Sequence, residues 1–224
     1  MNEVRLIVHD WDDVVTNSFQ AYSKFYFDFA EHFALPAPTL DGLRAHWGKT
    51  IPEIALGQWQ NFTLEQVSAM VRDFIHNQEQ KAFDPYETSI FPGVIDAFKE
   101  LSKKYELAIL SSGYKPRLID IYKKHIDPNI AYHKAILAPP ELAITKPDPR
   151  VFDEVLAALH EPTLPNDAIA YVGDSLSDLK TAENRGVAFY AITTGVNTKD
   201  DFLSRGVHAD HILEEFYDLV QIFR

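Results

Sequence analysis

The sequence contains no cysteine among its 224 residues, so disulfides, zinc–thiolate sites and thiol nucleophiles are excluded. Positive charge is also scarce: 21 Lys and Arg stand against 33 Asp and Glu, which gives a net charge of −12. Such a surface repels nucleic acid, and the basic residues are scattered instead of gathered into a patch. We therefore expect no nucleic-acid partner.

Long apolar runs are absent as well, and no stretch is long enough to span a bilayer. The N-terminus, MNEVRLIVHD, runs straight into a strand pattern without the apolar region of a secretory signal. With 46% hydrophobic and 24% charged residues, the composition is that of an ordinary globular domain. We expect a cytoplasmic protein, monomeric or homodimeric, without a membrane partner.

Short apolar runs alternate with helical patterns over most of the chain. The runs predict strands at 4–8, 107–110, 135–137, 168–172 and 188–192. Helices are predicted at 93–104, 115–124, 149–159 and 176–185, with a last one near 213–223. Strands that alternate with helices predict an α/β fold, a Rossmann-like parallel sheet with helices on both faces.

Residues 17–90 break this alternation, because their apolar positions recur at helical steps of three and four. Helices are predicted at 40–47, 52–59 and 64–80 after a first one that carries an aromatic stripe. The stripe is interpreted as core packing; its members are Phe19, Tyr22, Phe25, Tyr26, Phe29 and Phe33. We therefore predict an α-helical domain at 17–90, inserted into a core domain formed by 1–16 and 91–224.

Two carboxylates, Asp10 and Asp12, follow the first predicted strand. Side chains two apart in an extended segment point the same way, and two adjacent carboxylates are costly unless a cation lies between them. Mg²⁺ prefers such oxygen ligands, and one carboxylate can attack phosphorus while the other transfers protons. An ordinary acidic loop is the alternative.

Polar residues follow two later strands. Ser111, with Ser112 and Gly113 beside it, can donate to a phosphoryl oxygen, although a serine before glycine is also a common turn residue. After another strand, Asp174 and Asp178 lie four apart at the start of a helix, where negative charge is favourable. An N-cap and a surface aspartate would explain them equally well.

Between these stretches lies Lys146, a compact positive charge suited to phosphate or simply an exposed lysine. Ligands in open α/β sheets bind beyond the carboxyl ends of the strands. The order of the four stretches along the chain therefore favours a site for Mg²⁺ and a phosphorylated small molecule.

With these motifs, DWDDV, LAILSS, KPDPRVF and VGDSLSD, the chain resembles the haloacid dehalogenase superfamily. FPGV and GVNTKDDFL add a likeness to its phosphoglycolate phosphatase and beta-phosphoglucomutase branch. The resemblance implies an inserted helical cap. It also implies a Mg²⁺-dependent phosphatase that hydrolyses a small phosphorylated metabolite through an aspartyl-phosphate, with phosphoglycolate as the candidate substrate. Alternatives are a phosphosugar mutase and a catalytically silent scaffold for interactions.

The resemblance also implies a role for each motif residue. Asp10 is the nucleophile and Asp12 the general acid and base. Mg²⁺ is held by Asp10, by the main-chain carbonyl of Asp12 and by Asp174, with support from Asp178. The phosphoryl group is held by Ser111, Lys146 and the neighbouring Ser112 and Gly113.

The sequence departs from the family pattern at Asp13, which replaces the usual glycine and adds negative charge. At Trp11 the chain resembles a phosphonate-cleaving branch of the family, which also has tryptophan there. That branch has alanine in place of Asp12, and true dehalogenases also lack an aspartate at that position. Asp12 therefore favours phosphate esters as substrates.

Four further residues are singled out. Within the insertion, Arg44, His46 and Lys49 flank a turn and are candidates for substrate contacts, or else surface charges. His9 lies within the first strand pattern and is predicted to be a packed core residue.

Overall fold

The computed structural model describes residues 3–79, 88–127 and 129–224. The chain divides into two compact units: an α/β unit, Met1–Asn17 with Ile90–Arg224, and a helical unit, Ser18–Ser89. The end of the helix predicted at 64–80, and the part of the predicted insertion at 80–87, lie outside the described residues.

The α/β unit is built on a parallel sheet, which within the described residues has six strands. The strands are β1 (Leu6–His9), β2 (Glu106–Leu110), β3 (His133–Leu137), β4 (Ile169–Gly173), β5 (Ala188–Ile192) and β6 (Ile212–Leu213). Their order across the sheet is β3-β2-β1-β4-β5-β6. Since β2 and β4 flank β1, the carboxyl ends of these three strands are neighbours.

The helical unit contains α1 (Ser18–His32), α2 (Leu40–His46), α3 (Ile51–Gln58) and α4 (Leu64–Glu79). The aromatic stripe of α1 is core packing, as predicted: Phe25 and Phe29 are almost fully buried. Phe29 stacks on Trp59 with ring centroids 5.3 Å apart. Phe74 of α4 contacts Phe29 edge-on, with centroids 5.5 Å apart. These aromatic contacts give the unit a hydrophobic core of its own.

The helices of the α/β unit are α5 (Val94–Leu101), α6 (Lys115–His125), α7 (Val151–Ala158), α8 (Leu176–Arg185), α9 (Lys199–Ser204) and α10 (Leu219–Ile222). Successive side chains of a strand point to opposite faces of the sheet. On one face Ile7 of β1 packs in a cluster with Phe98 of α5, and on the other Val8 packs in a cluster with Phe152 of α7. None of the helices in the described ranges is long and apolar enough to cross a membrane.

The helix predicted near 213–223 is wrong in its first half. Leu213 lies in β6, a sixth strand that the sequence analysis missed, and a 3-10 turn at Phe216–Asp218 precedes α10. Leu213, Phe216, Leu219 and Phe223 all face the same hydrophobic cluster. Their helix-like spacing therefore reflects a shared core and not one continuous helix.

Candidate active site

The carboxyl ends of three adjacent strands bring Asp10, Ser111 and Asp174 to one edge of the sheet, since each directly follows β1, β2 or β4. The Asp10 N–H donates to the Val172 carbonyl and the Ser111 N–H to the Leu137 carbonyl, both at 2.9 Å. All three polar residues are buried. The sheet thus fixes the backbone of the residues that carry the polar groups.

Lys146 supplies the positive charge at this edge. Its Nζ donates to Asp10 Oδ2 and to Asp178 Oδ1, both at 2.7 Å. The Lys146 side chain is only 4% exposed. Burial lowers its pKa, but the two carboxylates raise it more, and the pKa lies well above its ordinary value. Lys146 is therefore a cation at neutral pH.

Asp178 is the best-bonded carboxylate of the site. Besides Lys146, its Oδ1 accepts from the Tyr171 hydroxyl at 2.6 Å. Its Oδ2 accepts from the Ser175 hydroxyl at 2.5 Å and from the Ser175 N–H at 3.2 Å, and these contacts also cap α8. A carboxylate has about four lone-pair positions, and four donors use them here. Asp178 is thereby suited to hold Lys146 in place.

Oxygens of Asp10, Asp174 and Asp178 lie within 4.8 Å of one another, and all three residues are buried. Burial raises the pKa of Asp10 to about 7, with further contributions from Asp178 and Asp12 and an opposing one from Lys146. Burial, then Asp178 and Asp13, likewise raise the pKa of Asp174 well above its ordinary value. The cluster carries more negative charge than one lysine offsets, and the carboxylates of Asp10 and Asp174 are donors that fit a hard divalent cation such as Mg²⁺.

Asp12 lies on another side of the site, beside Gly113. A methyl group built on Gly113 would come within 2.7 Å of Asp12 Oδ2 and 3.2 Å of Ser111 Oγ. The Gly113 N–H donates to Ser111 Oγ at 2.9 Å. The side chains of Asp12 and Ser111 therefore lie on the same side of Gly113, over its bare Cα. Ser112, between Ser111 and Gly113 in sequence, is exposed.

Asp13 has a left-handed backbone, with φ of 57°. Aspartate and asparagine tolerate this conformation better than most residues, and glycine tolerates it best, which explains the usual glycine of the family pattern. The side chain is 1% exposed, and its charge raises the pKa of Asp174. The extra negative charge expected from the sequence is therefore inside the site.

Several residues of the site were missed by the sequence analysis: Tyr171, Ser175, Thr194, Gly195 and Arg117. The Thr194 hydroxyl donates to the Asp13 carbonyl at 2.5 Å. A methyl group on Gly195 would collide with Asp174 Oδ2 at 1.9 Å. The GVN motif that begins at Gly195 could have indicated this close approach, whereas Tyr171 looks like any other strand residue.

Arg117, in the first turn of α6, brings a second cation near the site. Burial lowers the pKa of its guanidinium, and the charge of Asp12 opposes that shift. The positive charge of Arg117 therefore interacts with that of Asp12, the carboxylate predicted to transfer protons.

The residues predicted for substrate contacts in the insertion lie in the helical unit. Arg44 pairs with Asp41 at 3.1 Å and lies over the Phe19 ring, 5.2 Å from its centroid. Lys49 Nζ and His46 Nδ1 are 3.2 Å apart. The carboxylate cluster of the α/β unit forms without these residues.

Comparisons with known proteins agree with this geometry. A family model described as haloacid dehalogenase-like hydrolase matches residues 7–192. No curated protein matches the sequence.

Solved structures share the fold. A haloacid dehalogenase-like family hydrolase from Streptococcus pneumoniae is 21% identical with a TM-score of 0.79, and both chains are covered in full. A predicted phosphoglycolate phosphatase from Haemophilus somnus is 19% identical with a TM-score of 0.81, again over 100% of both chains. A Thermotoga maritima protein described as a beta-phosphoglucomutase is 19% identical with a TM-score of 0.71 over 98% of each chain.

The family model covers most of the chain, from Ile7 within β1 to Ile192 at the end of β5. It includes Asp10, Asp12, Ser111, Lys146, Asp174 and Asp178. The α/β unit has the Rossmann-like parallel sheet expected for the family. The chain therefore belongs to the haloacid dehalogenase-like hydrolases.

Proposed function

We propose that this hydrolase is a Mg²⁺-dependent phosphatase that cleaves a small phosphorylated metabolite through an aspartyl-phosphate on Asp10. The observation that carries the proposal is the buried Lys146, whose Nζ lies 2.7 Å from both Asp10 and Asp178 within an acidic cluster. The buried lysine can bind the anionic phosphoryl group of a substrate, and the excess carboxylates can bind a metal cation. The three carboxylates outnumber the lysine by two negative charges, which a bound divalent cation would offset.

Asp10 is the proposed nucleophile. Its Oδ1 accepts from the Trp11 N–H at 2.7 Å and its Oδ2 from Lys146 at 2.7 Å, so the carboxylate is held in one orientation. Attack of a carboxylate oxygen on phosphorus forms the acyl phosphate and breaks the bond to the ester oxygen. Orientation of the attacking group before reaction lowers the entropic part of the barrier.

Asp12 is the proposed general acid and base. It gives its proton to the departing ester oxygen, and as a carboxylate it then takes a proton from the water that attacks the acyl phosphate. Phosphate leaves and the Asp10 carboxylate is restored. The neighbouring Ser111 hydroxyl, beside Asp12 across Gly113, is the proposed donor to a phosphoryl oxygen. Lys146 neutralises part of the phosphoryl charge.

Asp10 and Asp174, with the main-chain carbonyl of Asp12, are the proposed Mg²⁺ ligands. The bound ion would supply positive charge toward the phosphoryl oxygens. The raised pKa values of Asp10 and Asp174 are consistent with this assignment, since crowded buried carboxylates are stabilised by a cation or, without one, by a proton. Asp178 has its acceptor positions filled by protein donors, so its proposed role is to hold Lys146.

The helical unit is proposed to act as the substrate-selecting cap, with domain bounds of 17–90 as predicted from the sequence. Arg44, His46 and Lys49 are its candidate contacts for an anionic substrate, and phosphoglycolate is the candidate suggested by the family branch. We also propose a cytoplasmic protein, monomeric or homodimeric. No nucleic-acid partner is proposed, because the charge of −12 disfavours polyanionic partners.

A phosphosugar mutase is the second candidate, because it would use the same Asp10, Asp12 and Lys146. It would interconvert sugar phosphate isomers without net release of phosphate. A catalytically silent scaffold is disfavoured, since every motif position retains a chemically competent side chain.

The test is phosphate release from a panel that includes phosphoglycolate and hexose phosphates, with Mg²⁺ or with EDTA. We expect release with Mg²⁺ only, and its loss in Asp10→Asn. The matched control is Asp120→Asn, which makes the same change at an exposed position of α6. Wild-type rates in Asp10→Asn would exclude the aspartyl-phosphate, and isomer conversion without phosphate release would favour the mutase.

A further inference from the structure

A chain of hydrogen bonds runs through the core from Tyr122 to the main chain of Asp10. His9 Nδ1 lies 2.7 Å from the Asp10 carbonyl oxygen, and His9 Nε2 lies 2.8 Å from His133 Nε2. His133 Nδ1 in turn lies 3.0 Å from the Tyr122 hydroxyl. The three side chains of this chain come from His9 in β1, His133 in β3 and Tyr122 in α6. None of these three residues belongs to the family motifs.

The direction of these hydrogen bonds follows from their chemistry. The Asp10 carbonyl can only accept, so His9 Nδ1 must carry the proton and donate. In a neutral ring, Nε2 of His9 then accepts, which requires Nε2–H on His133. His133 Nδ1 is left as an acceptor, and the Tyr122 hydroxyl donates to it. One proton arrangement satisfies every contact when both rings are neutral.

The surroundings keep both rings neutral and immobile. His9 is fully buried and His133 is 9% exposed. Phe98 stacks on His9 with centroids 5.3 Å apart, and Phe216 meets it edge-on at 5.1 Å. Burial lowers the pKa of His9 to about 4, and burial followed by the charge of His9 lowers the pKa of His133.

We propose that Tyr122, His133 and His9 are positioning residues that orient the Asp10–Trp11 peptide and, through it, the Asp10 carboxylate. The carbonyl of this peptide accepts from His9, while its N–H, on Trp11, donates to Asp10 Oδ1 at 2.7 Å. A peptide group is planar, so fixing the carbonyl also fixes the N–H that holds the carboxylate. The proposal rests on Asp10 as the nucleophile of the proposed function.

The test compares two replacements of His9. Asparagine keeps a donor near the position of Nδ1 but is small, whereas phenylalanine fills the aromatic pocket without a donor. We expect His9→Phe to lower kcat by about 10- to 100-fold at little changed KM, as is typical when a group behind an active-site ligand is removed. His9→Asn should recover most of that loss even though it packs worse. Tyr122→Phe, which removes the last donor alone, should give a smaller decrease in kcat.

A merely structural role predicts the reverse order, with His9→Asn the worse variant because it leaves a cavity. That order would overturn the proposal. The matched control is His211→Phe, since His211 Nδ1 also lies near a carbonyl oxygen, of Phe189 at 3.1 Å, and its ring stacks on Tyr190. We expect kcat of this control to stay within about twofold of wild type. Rates are measured with p-nitrophenyl phosphate and Mg²⁺.

A second measurement needs no turnover. ¹⁵N NMR of the imidazoles should find the proton on Nδ1 of His9 and on Nε2 of His133, and the Asp10 carbonyl ¹³C shift should move in His9→Phe but little in His9→Asn. If wild type hydrolyses nothing while these signatures hold, the proposed function fails and the positioning of the peptide stands. The opposite tautomers in an active enzyme would overturn the positioning proposal alone.

Discussion

Replacement of Lys146 by methionine tests the charge balance of the site. Methionine fills nearly the same volume but leaves Asp10 and Asp178 without the cation that lies 2.7 Å from each. Removing one partner of a buried ion pair typically costs about 3–5 kcal/mol, because the remaining charge stays buried. With a urea dependence of about 3 kcal/mol per molar, the unfolding midpoint should fall by about 1–1.7 M.

The pH dependence of this loss has a definite sign. The pKa of Asp10 is already raised to about 7, and without Lys146 it loses the group that opposes the rise. A carboxyl whose folded-state pKa exceeds its unfolded value contributes stability at low pH and loses it as the pH rises through the folded pKa. The deficit of Lys146→Met should therefore be larger at pH 8 than at pH 6, by about 1.4 kcal/mol per pH unit at most.

The assay is urea unfolding followed by circular dichroism in EDTA at pH 6, 7 and 8, with Lys103→Met as the control. Lys103 lies 2.6 Å from Glu100, as close as the Lys146 contacts, but its side chain is 58% exposed. Exposed pairs contribute about 0–1 kcal/mol, so this control should be nearly neutral at every pH. Equal effects of the two substitutions, or a deficit of Lys146→Met that does not change with pH, would refute the reasoning.

Three further predictions concern single residues. Tyr171→Phe removes a buried donor to Asp178, and the free energy of unfolding in urea should fall by about 1.5–3 kcal/mol. Asp13→Asn should unfold within about 0.5 kcal/mol of wild type, whereas Asp13→Val should lose about 2 kcal/mol or more, because a β-branched residue cannot easily adopt a φ of 57°. The lowered pKa of His9 contributes stability that is present above pH 6.5 and lost as the pH falls through about 4. Between those limits the wild type should lose about 3 kcal/mol of its free energy of unfolding. His9→Phe lacks this titrating group, so its free energy of unfolding should fall less over the same pH range by that amount. Parallel pH profiles of the two proteins would contradict the lowered pKa.

The placement of the motif residues could be predicted because it follows from topology. Asp10, Ser111 and Asp174 come directly after predicted strands, and the carboxyl ends of parallel strands share one edge of a sheet. The order of these strands brings the three residues together, which is what the sequence analysis assumed. The sequence also showed that Asp13 stands where the family usually has glycine. It did not show that the backbone of Asp13 is left-handed.

The contacts between side chains that are distant in sequence could not be predicted. His9 and His133 are 124 residues apart, and β2 lies between their strands in the sheet order. A histidine within an apolar run looks the same whether it is merely packed or hydrogen-bonded to another ring. Tyr171 likewise shows no sequence signal, since its partner Asp178 is defined by how β4 meets α8.

The left-handed backbone at Asp13 has a consequence for the evolution of the site. A single base change converts a codon for aspartate into one for asparagine or for glycine, and these residues are the ones best suited to such a backbone. A lineage can therefore add or remove a full negative charge next to the proposed catalytic carboxylates while the backbone at residue 13 keeps its conformation. The affinity for cations and for anionic substrates becomes adjustable by mutation at a buried position that lies outside the strands of the sheet.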